Sequence, residues 1–287
     1  MKRSKNMSKK ESGERIIELI PTVATEYSGN YTDPPIPEGW KHVVGEWNNG
    51  FVILDSKGNN FVWVPVGFLD ANGTLDGTNF SEKFGRRNYR GDEFSDKEFH
   101  EELSEELQKQ WKSVQKYGGF YISRYNISRS KTGEAKSVKG VMPWTNIEWF
   151  DAMEAAKTFG DGVSVKSHLP FGAEHDSALE SFIKSGKRTT EEIASDSTKW
   201  GNFCNTRNAP QKLVETGTCE EWSTNNICDL AGNVVEWTQE QNKSSCRVTR
   251  GGLYYYDGSN YPVAYRGYDY PYSSFSGTGF RATLFLA

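Results

Sequence analysis

The amino-acid sequence predicts an α+β domain in which a few helices pack on a loop-rich body of short strands. Two observations carry that expectation. Helical periodicity occurs in three stretches, all before residue 187. Beyond it, turns, isolated tryptophans and short β-like pieces fill the remaining positions. A third observation is size: 287 residues with 14% aromatics and nine dispersed tryptophans supply an ample core.

Residues 1–33 read as a basic, flexible or docking tail, with six basic and two acidic side chains in positions 1–15. Pro34, Pro35 and Pro37 mark the linker into a domain spanning 34–287. Apolar runs at 51–54 and 61–66 flank a Ser-Lys-Gly-Asn-Asn turn, which predicts a hairpin. A helix is expected over 95–116, with Ser95 and Glu98 as capping box and Phe99, Leu103, Leu107, Trp111 and Val114 recurring at helical spacing. Gly118-Gly119 stops it, and "FYISRY" reads as a strand. A second helix is expected over 146–159. Thr145 and Glu148 would form its capping box, Trp149, Phe150, Met153 and Ala156 its apolar face, and Gly160 its stop. A third is expected over 173–184, between Gly172 and Gly186.

Charge excludes some functions. The 34 basic against 38 acidic side chains leave a net of −4, which favours neither nucleic-acid binding nor membrane association. No run approaches the ~18–20 apolar residues of a membrane span. "IIELIP" is too short for a signal-peptide core, so the expectation is a protein cytoplasmic at synthesis. Cys204, Cys219, Cys228 and Cys246 contain no C-x-x-C pair, which argues against zinc and reads as free buried thiols, with disulfides as the extracellular alternative.

One short motif is more specific: "DLAGNVVEWT" (229–238), followed by "RVTRGG" (247–252) and "GFR" (279–281). With "GGFYISRY" (118–125), "VMPWTNIEWFDAMEAAK" (141–157) and "HLPFGAEHDSALESFI" (168–183), it resembles the formylglycine-generating-enzyme, or sulfatase-modifying factor, family. Val235 stands where that family's signature has Trp, and Leu253 where it has Ser. The resemblance implies a C-type-lectin-like fold, α+β and loop-rich. It also implies a structural calcium ion held by the Asp229 and Glu236 side chains and the Gly232 and Val234 carbonyls. Gly232-Asn233 is a turn signal that would let those carboxylates converge. The plainer alternative makes Glu236 a loop cap and Trp237 a core residue.

The family's oxidation chemistry is not expected. Its generating enzymes place two reactive cysteines just after R-G-G, where thiolates bind copper and substrate. This chain has no cysteine after Cys246. A related iron-dependent group needs three histidines. The four here (His42, His100, His168 and His175) are scattered over strand and helix and read as satisfied structural residues. No catalytic residues and no redox cofactor are therefore expected.

The segment from Arg250 to Arg281 draws on a narrow alphabet. It holds eight of the fourteen tyrosines and lacks Lys, Glu, Gln, Trp, Met, His, Cys and Ile. That pattern resembles the variable segment of lectin-fold proteins diversified by retroelements. Those elements mutate template adenines, and Asn codons rewritten so yield Tyr, Asp, Ser and Asn but never Lys, Glu, Gln, Trp or Met. The segment there starts after R-G-G and ends at G-F-R, here 251–281. Pro262, Arg266, Pro271 and Gly277 stand as fixed scaffold points.

Tyrosine with Ser, Gly and Asn is also the composition of an antibody paratope. The expected ligand-facing residues are Tyr254, Tyr255, Tyr256, Asp257, Ser259, Asn260, Tyr261 and Tyr265. They continue with Tyr268, Asp269, Tyr270, Tyr272, Ser273, Ser274, Phe275 and Ser276. The reading is a non-catalytic phage or bacterial display protein that binds a protein or glycan on another cell surface, with the tail attaching it to a virion or larger assembly. A divergent oxidase and an invariant sugar-binding module stay open as alternatives.

Overall fold

The computed structural model describes residues 33–69, 75–76, 84, 86–90, 99–100, 104–242 and 245–287. In chain order its strands include β1 (Lys41–Val44), β2 (Val52–Leu54), β3 (Asn60–Pro65), β4 (Phe99–His100) and β5 (Gly119–Ser123). They continue with β6 (Val165–His168), β7 (Val235–Asn242), β8 (Cys246–Arg250), β9 (Gly267–Asp269), β10 (Thr278–Phe280) and β11 (Thr283–Leu286). The helices are α1 (Glu105–Tyr117), α2 (Trp149–Ala156), α3 (Gly172–Lys184) and the short α4 (Thr190–Ala194).

β1, β2, β3, β5, β11 and β6 lie in that order in an antiparallel six-stranded sheet. Side chains alternate between the faces of a strand, and here both faces are covered, which is why "FVWVP" (61–65) is apolar throughout. Phe61, Trp63, Tyr121 and Leu284 enter one core with Trp149, Ala152 and Ala156 of α2. Val62, Val64, Phe120 and Ile122 enter a second core with Ala178, Leu179 and Phe182 of α3. Each large apolar side chain so buried contributes about 1.5–3 kcal/mol. The expected hairpin is present, with Val52 opposite Val62.

β9, β8, β7 and β10 form the second sheet, with β10 parallel to β7. β4 pairs with the far end of β7, Phe99 opposite Asn242. The first expected helix is corrected by that pairing. It begins at Glu105, where Ser104 caps it by accepting from the Leu107 amide at 3.1 Å. His100 is therefore on a strand, and Ser95, Glu98 and Leu103 lie outside the described residues. Ser104 wins because Glu105 and Glu106 follow it into the first turn, where acids suit the helix dipole.

α2 starts at Trp149 with Glu148 as N-cap and no side-chain cap, so the Thr145 box does not form. The Trp149 amide donates instead to the Pro271 carbonyl at 2.9 Å, a partner from the tyrosine-rich segment. Phe150 is half exposed rather than part of the apolar face. α3 matches its expectation to within one residue. α4 was missed, although Thr189 and Glu192 cap it reciprocally, because five residues show no periodicity.

Candidate ligand-binding surface

Residues 251–281 leave β8, cross one side of the molecule and return through β10 to Arg281. Three buried arginines hold the segment. Arg250 and Arg266 both reach Asp176 of α3, at 2.7 and 2.6 Å. Arg266 also donates through Nε to Glu240 of β7 at 2.9 Å, and Arg250 Nη1 lies 3.5 Å from the other oxygen. Burial works against a charged Asp176, but Arg250 and Arg266 outweigh it and hold the carboxyl down at about 2. At the far end Arg281 donates to Glu236 at 2.7 Å, to the Ser123 carbonyl at 2.9 Å, and to the Cys228 carbonyl.

Main-chain bonds fix the path between these anchors. The Gly251 carbonyl accepts from Gly232 at 2.7 Å, that of Tyr256 from Cys204 at 3.0 Å, and that of Gly258 from Ser197 at 3.0 Å. The Phe275 and Gly277 carbonyls accept from Asn146 and Val235, each at 3.0 Å. Val263 donates to Ser197 Oγ at 2.9 Å, and Gly258 to Asn205 Oδ1 at 2.9 Å. Leu253, Pro262, Val263 and Ala264 are buried and plug the segment into the second core's flank. Gly258 and Gly277 are places where nothing larger fits. A Cβ on Gly277 would come within 2.5 Å of Leu253, and one on Gly258 within 2.9 Å of the Phe203 ring.

The side chains behave differently from the backbone. None of the sixteen expected ligand-facing residues is buried. Tyr272, Tyr268 and Tyr255 are 65%, 56% and 52% exposed, and Tyr270, Tyr261 and Phe275 are also exposed. Five tyrosines touch ring to ring in sequence: Tyr254 to Tyr255 at 5.0 Å, then Tyr256, Tyr261 and Tyr265. Tyr270 and Tyr272 stack at 5.4 Å. A cleft of about 460 Å³ is lined by Tyr255, Tyr256, Tyr261, Tyr265, Tyr268 and Phe275, among others. Burial above all, then Tyr255, Tyr261 and Asp269, push the Tyr256 phenol up, so its hydroxyl stays a donor at neutral pH. Asp257 Oδ1 accepts from the Ser259 amide at 2.8 Å and its hydroxyl at 2.6 Å, bracing its own turn. Sequence reasoning found the fixed points Pro262, Arg266 and Gly277, but not their partners Asp176 and Glu240. Those lie 90 and 26 residues from Arg266, so spacing carried no signal.

The residues expected to hold calcium converge only in part. Asp229, in a left-handed conformation at φ 56°, accepts from the Gly217 amide at 2.7 Å through Oδ2. Its Oδ1 is buried without a partner, and burial pushes the carboxyl up. That oxygen suits a cation. Glu236 is engaged through its Oε1: Arg281 and Asn126 both donate to it, at 2.7 and 2.5 Å, and burial outweighs them to push the carboxyl up to about 7. Among the described residues no group of three or more His, Cys, Asp and Glu is placed to share a metal. Trp237 is core, donating to the Ile147 carbonyl at 3.0 Å.

The three histidines whose side chains are described do not converge either. His42 stacks on Phe51 at 4.0 Å, and His168 bonds both Glu174 oxygens at 3.0 Å. His175 corrects the expectation of satisfied residues: both its ring nitrogens are buried without a partner. Burial, then Arg250, hold that ring neutral. The four cysteines are free thiols, but only Cys228 is buried, so that expectation is also corrected for the other three.

A family model described as a sulfatase-modifying factor enzyme 1-like domain matches residues 56–284. Among solved structures, variable protein 1 of Treponema denticola is similar at 17% identity, over 58% of this chain and 84% of that one, with a TM-score of 0.39. PvdO from Pseudomonas aeruginosa is similar at 13% identity, over 82% and 98%, with a TM-score of 0.48. The U1 variant of the Major Tropism Determinant is similar at 12% identity, over 80% and 64%, with a TM-score of 0.41. No curated protein matches.

Proposed function

The chain belongs to the sulfatase-modifying factor enzyme 1-like family, and from that premise we propose that it is a non-catalytic display protein. Its C-type-lectin-like α+β fold presents residues 251–281 as a binding surface. One observation carries the reading. The segment's backbone and its arginines are locked into the scaffold, while all eight of its tyrosines reach the surface. Tyrosine gives large rigid contacts at low entropic cost, and Ser and Asn adapt around them. The target is a protein or glycan on another cell surface, and residues 1–33 attach the domain to a virion or larger assembly.

Diversification by a retroelement is the finer part of the proposal. The alphabet of 251–281 supports it, since adenine mutation of Asn codons supplies the residues used and forbids those missing. The oxidase alternative lacks the cysteine pair that follows R-G-G in the generating enzymes, because no cysteine follows Cys246. Calcium enters the reading at the Asp229 and Glu236 side chains with the Gly232 and Val234 carbonyls, as a brace for the loop beneath the segment.

The deciding measurement is the DNA sequence of the gene's end and its downstream flank. A near-copy whose mismatches fall at its adenines, beside a reverse-transcriptase gene, is the expected result. With no such copy, and identical tyrosine codons in every isolate, the segment is a fixed lectin-like surface and diversification is discarded.

A further inference from the structure

A second cleft, of about 440 Å³, opens beside the C-terminal end of β5 and shares no lining residue with the tyrosine-rich one. Its walls carry four basic side chains, Arg124, Lys139, Lys187 and Arg188, against the single acid Glu220. In a chain whose net charge is −4, that is a strong local reversal.

The two arginines are set firmly in place. The backbone of Arg124 is held on both sides, its amide donating to the Asn60 carbonyl at 3.0 Å and its carbonyl accepting from Cys228 at 2.9 Å. Its Nε is buried and has no hydrogen-bond partner. Arg188 donates through Nε to Thr224 Oγ1 at 2.9 Å, lies over the Trp200 ring at 4.6 Å, and meets Glu192 only at 3.8 Å. Lys139 and Lys187 sit exposed at the rim, and neither has an ion-pair partner among the described residues. Like charges gathered around one polar cavity repel. A bound oxoanion offsets that repulsion, because the guanidinium fork matches its oxygens and the lysines add point charges.

We propose that this cleft is a binding site for a small ligand bearing an oxoanion, a phosphate ester or the carboxylate of an acidic sugar. Its volume falls in the range of about 300–1,000 Å³ typical of small-molecule sites. The hydroxyl and amide groups of Ser223 and Asn226 on its wall suit the remainder of such a ligand. The site is independent of the display surface and survives whether or not that segment varies.

Thermal melting of the full chain at fixed ionic strength tests it, with inorganic phosphate and glucuronate as probes against chloride. The expected result is a saturable rise in melting temperature with at least one probe and none with chloride. Phosphate alone would assign a phosphate ester, and glucuronate an acidic sugar. Lys139→Gln with Lys187→Gln changes exposed side chains only, so the variant should fold and bind the same probe about tenfold or more weakly. Arg124→Gln should abolish the response. No rise with either probe, or a rise undiminished in the lysine double variant, overturns the proposal.

Discussion

Arg266 of the tyrosine-rich segment donates to Asp176 of α3 at 2.6 Å, and both side chains are buried. Asp176 simultaneously holds Arg250 at 2.7 Å, so a single carboxylate joins the entry of the segment to its middle. Arg266→Ala would strand a buried charge, and the expected loss is about 3–5 kcal/mol, a fall in melting temperature of order 10 °C. A loss within experimental error would show that the arginine cluster does not hold the segment.

The same pair sets an acid limit. The Asp176 carboxyl sits at about 2 in the folded protein, below an unfolded value near 3.9. Its contribution is therefore present above pH ~4 and lost as the pH falls toward 2. Asp176→Asn should be less stable at neutral pH and flatten the melting temperature between pH 4 and 2. An unchanged acid limb in the variant would assign the acid sensitivity elsewhere.

Stability and recognition should separate in the exposed aromatics. Tyr255→Ala and Tyr272→Ala, at side chains 52% and 65% exposed, should change folding stability by within about 0.5 kcal/mol. Once a target is captured, the same variants should weaken binding by an order of magnitude or more. Large destabilisation by either would make that tyrosine a structural residue.

Gly258→Ala is expected to cost about 1–3 kcal/mol, because its Cβ would press against the Phe203 ring at 2.9 Å. Natural variants should accordingly keep Gly258 and Gly277 while changing exposed residues between them, such as Tyr261, Tyr268 and Tyr270. Sequencing of isolates checks this directly, and a bulky residue at either glycine would contradict it.

Calcium should raise the melting temperature and a chelator lower it, with the response absent in Asp229→Ala. Asp229 Oδ1 is the oxygen without another partner, so it should matter more than Glu236, which Arg281 already occupies. A melting temperature indifferent to chelator removes calcium from the account.

Much of this was legible in sequence because it is local. The β2–β3 hairpin, α3 and the fixed points Pro262 and Gly277 follow from turn residues, periodicity and a shift in alphabet. What was illegible depends on residues distant in the chain. Ser104 rather than Ser95 starts α1, since Phe99 and His100 are drawn off to pair with the end of β7. A helix start at 146 fails because Asn146 takes a left-handed conformation at φ 54°, and the Trp149 amide finds its partner in Pro271, more than a hundred positions away. Asp176 looked like one more acid on a helix, and only the folded chain brings Arg250 and Arg266 to it.

The direction of the anchoring hydrogen bonds has one more consequence. At Tyr256, Gly258, Pro271 and Phe275 the segment offers its carbonyl, and the amide belongs to the scaffold. Every amino acid has that oxygen, proline included, so no coding change at Tyr256 or Phe275 can delete the bond. At those positions the scaffold thus tethers atoms that mutation cannot reach. A surface built on that division tolerates rewriting at its exposed positions: with Gly258, Pro262, Arg266 and Gly277 kept, the loop holds its trace whatever letters are written between them.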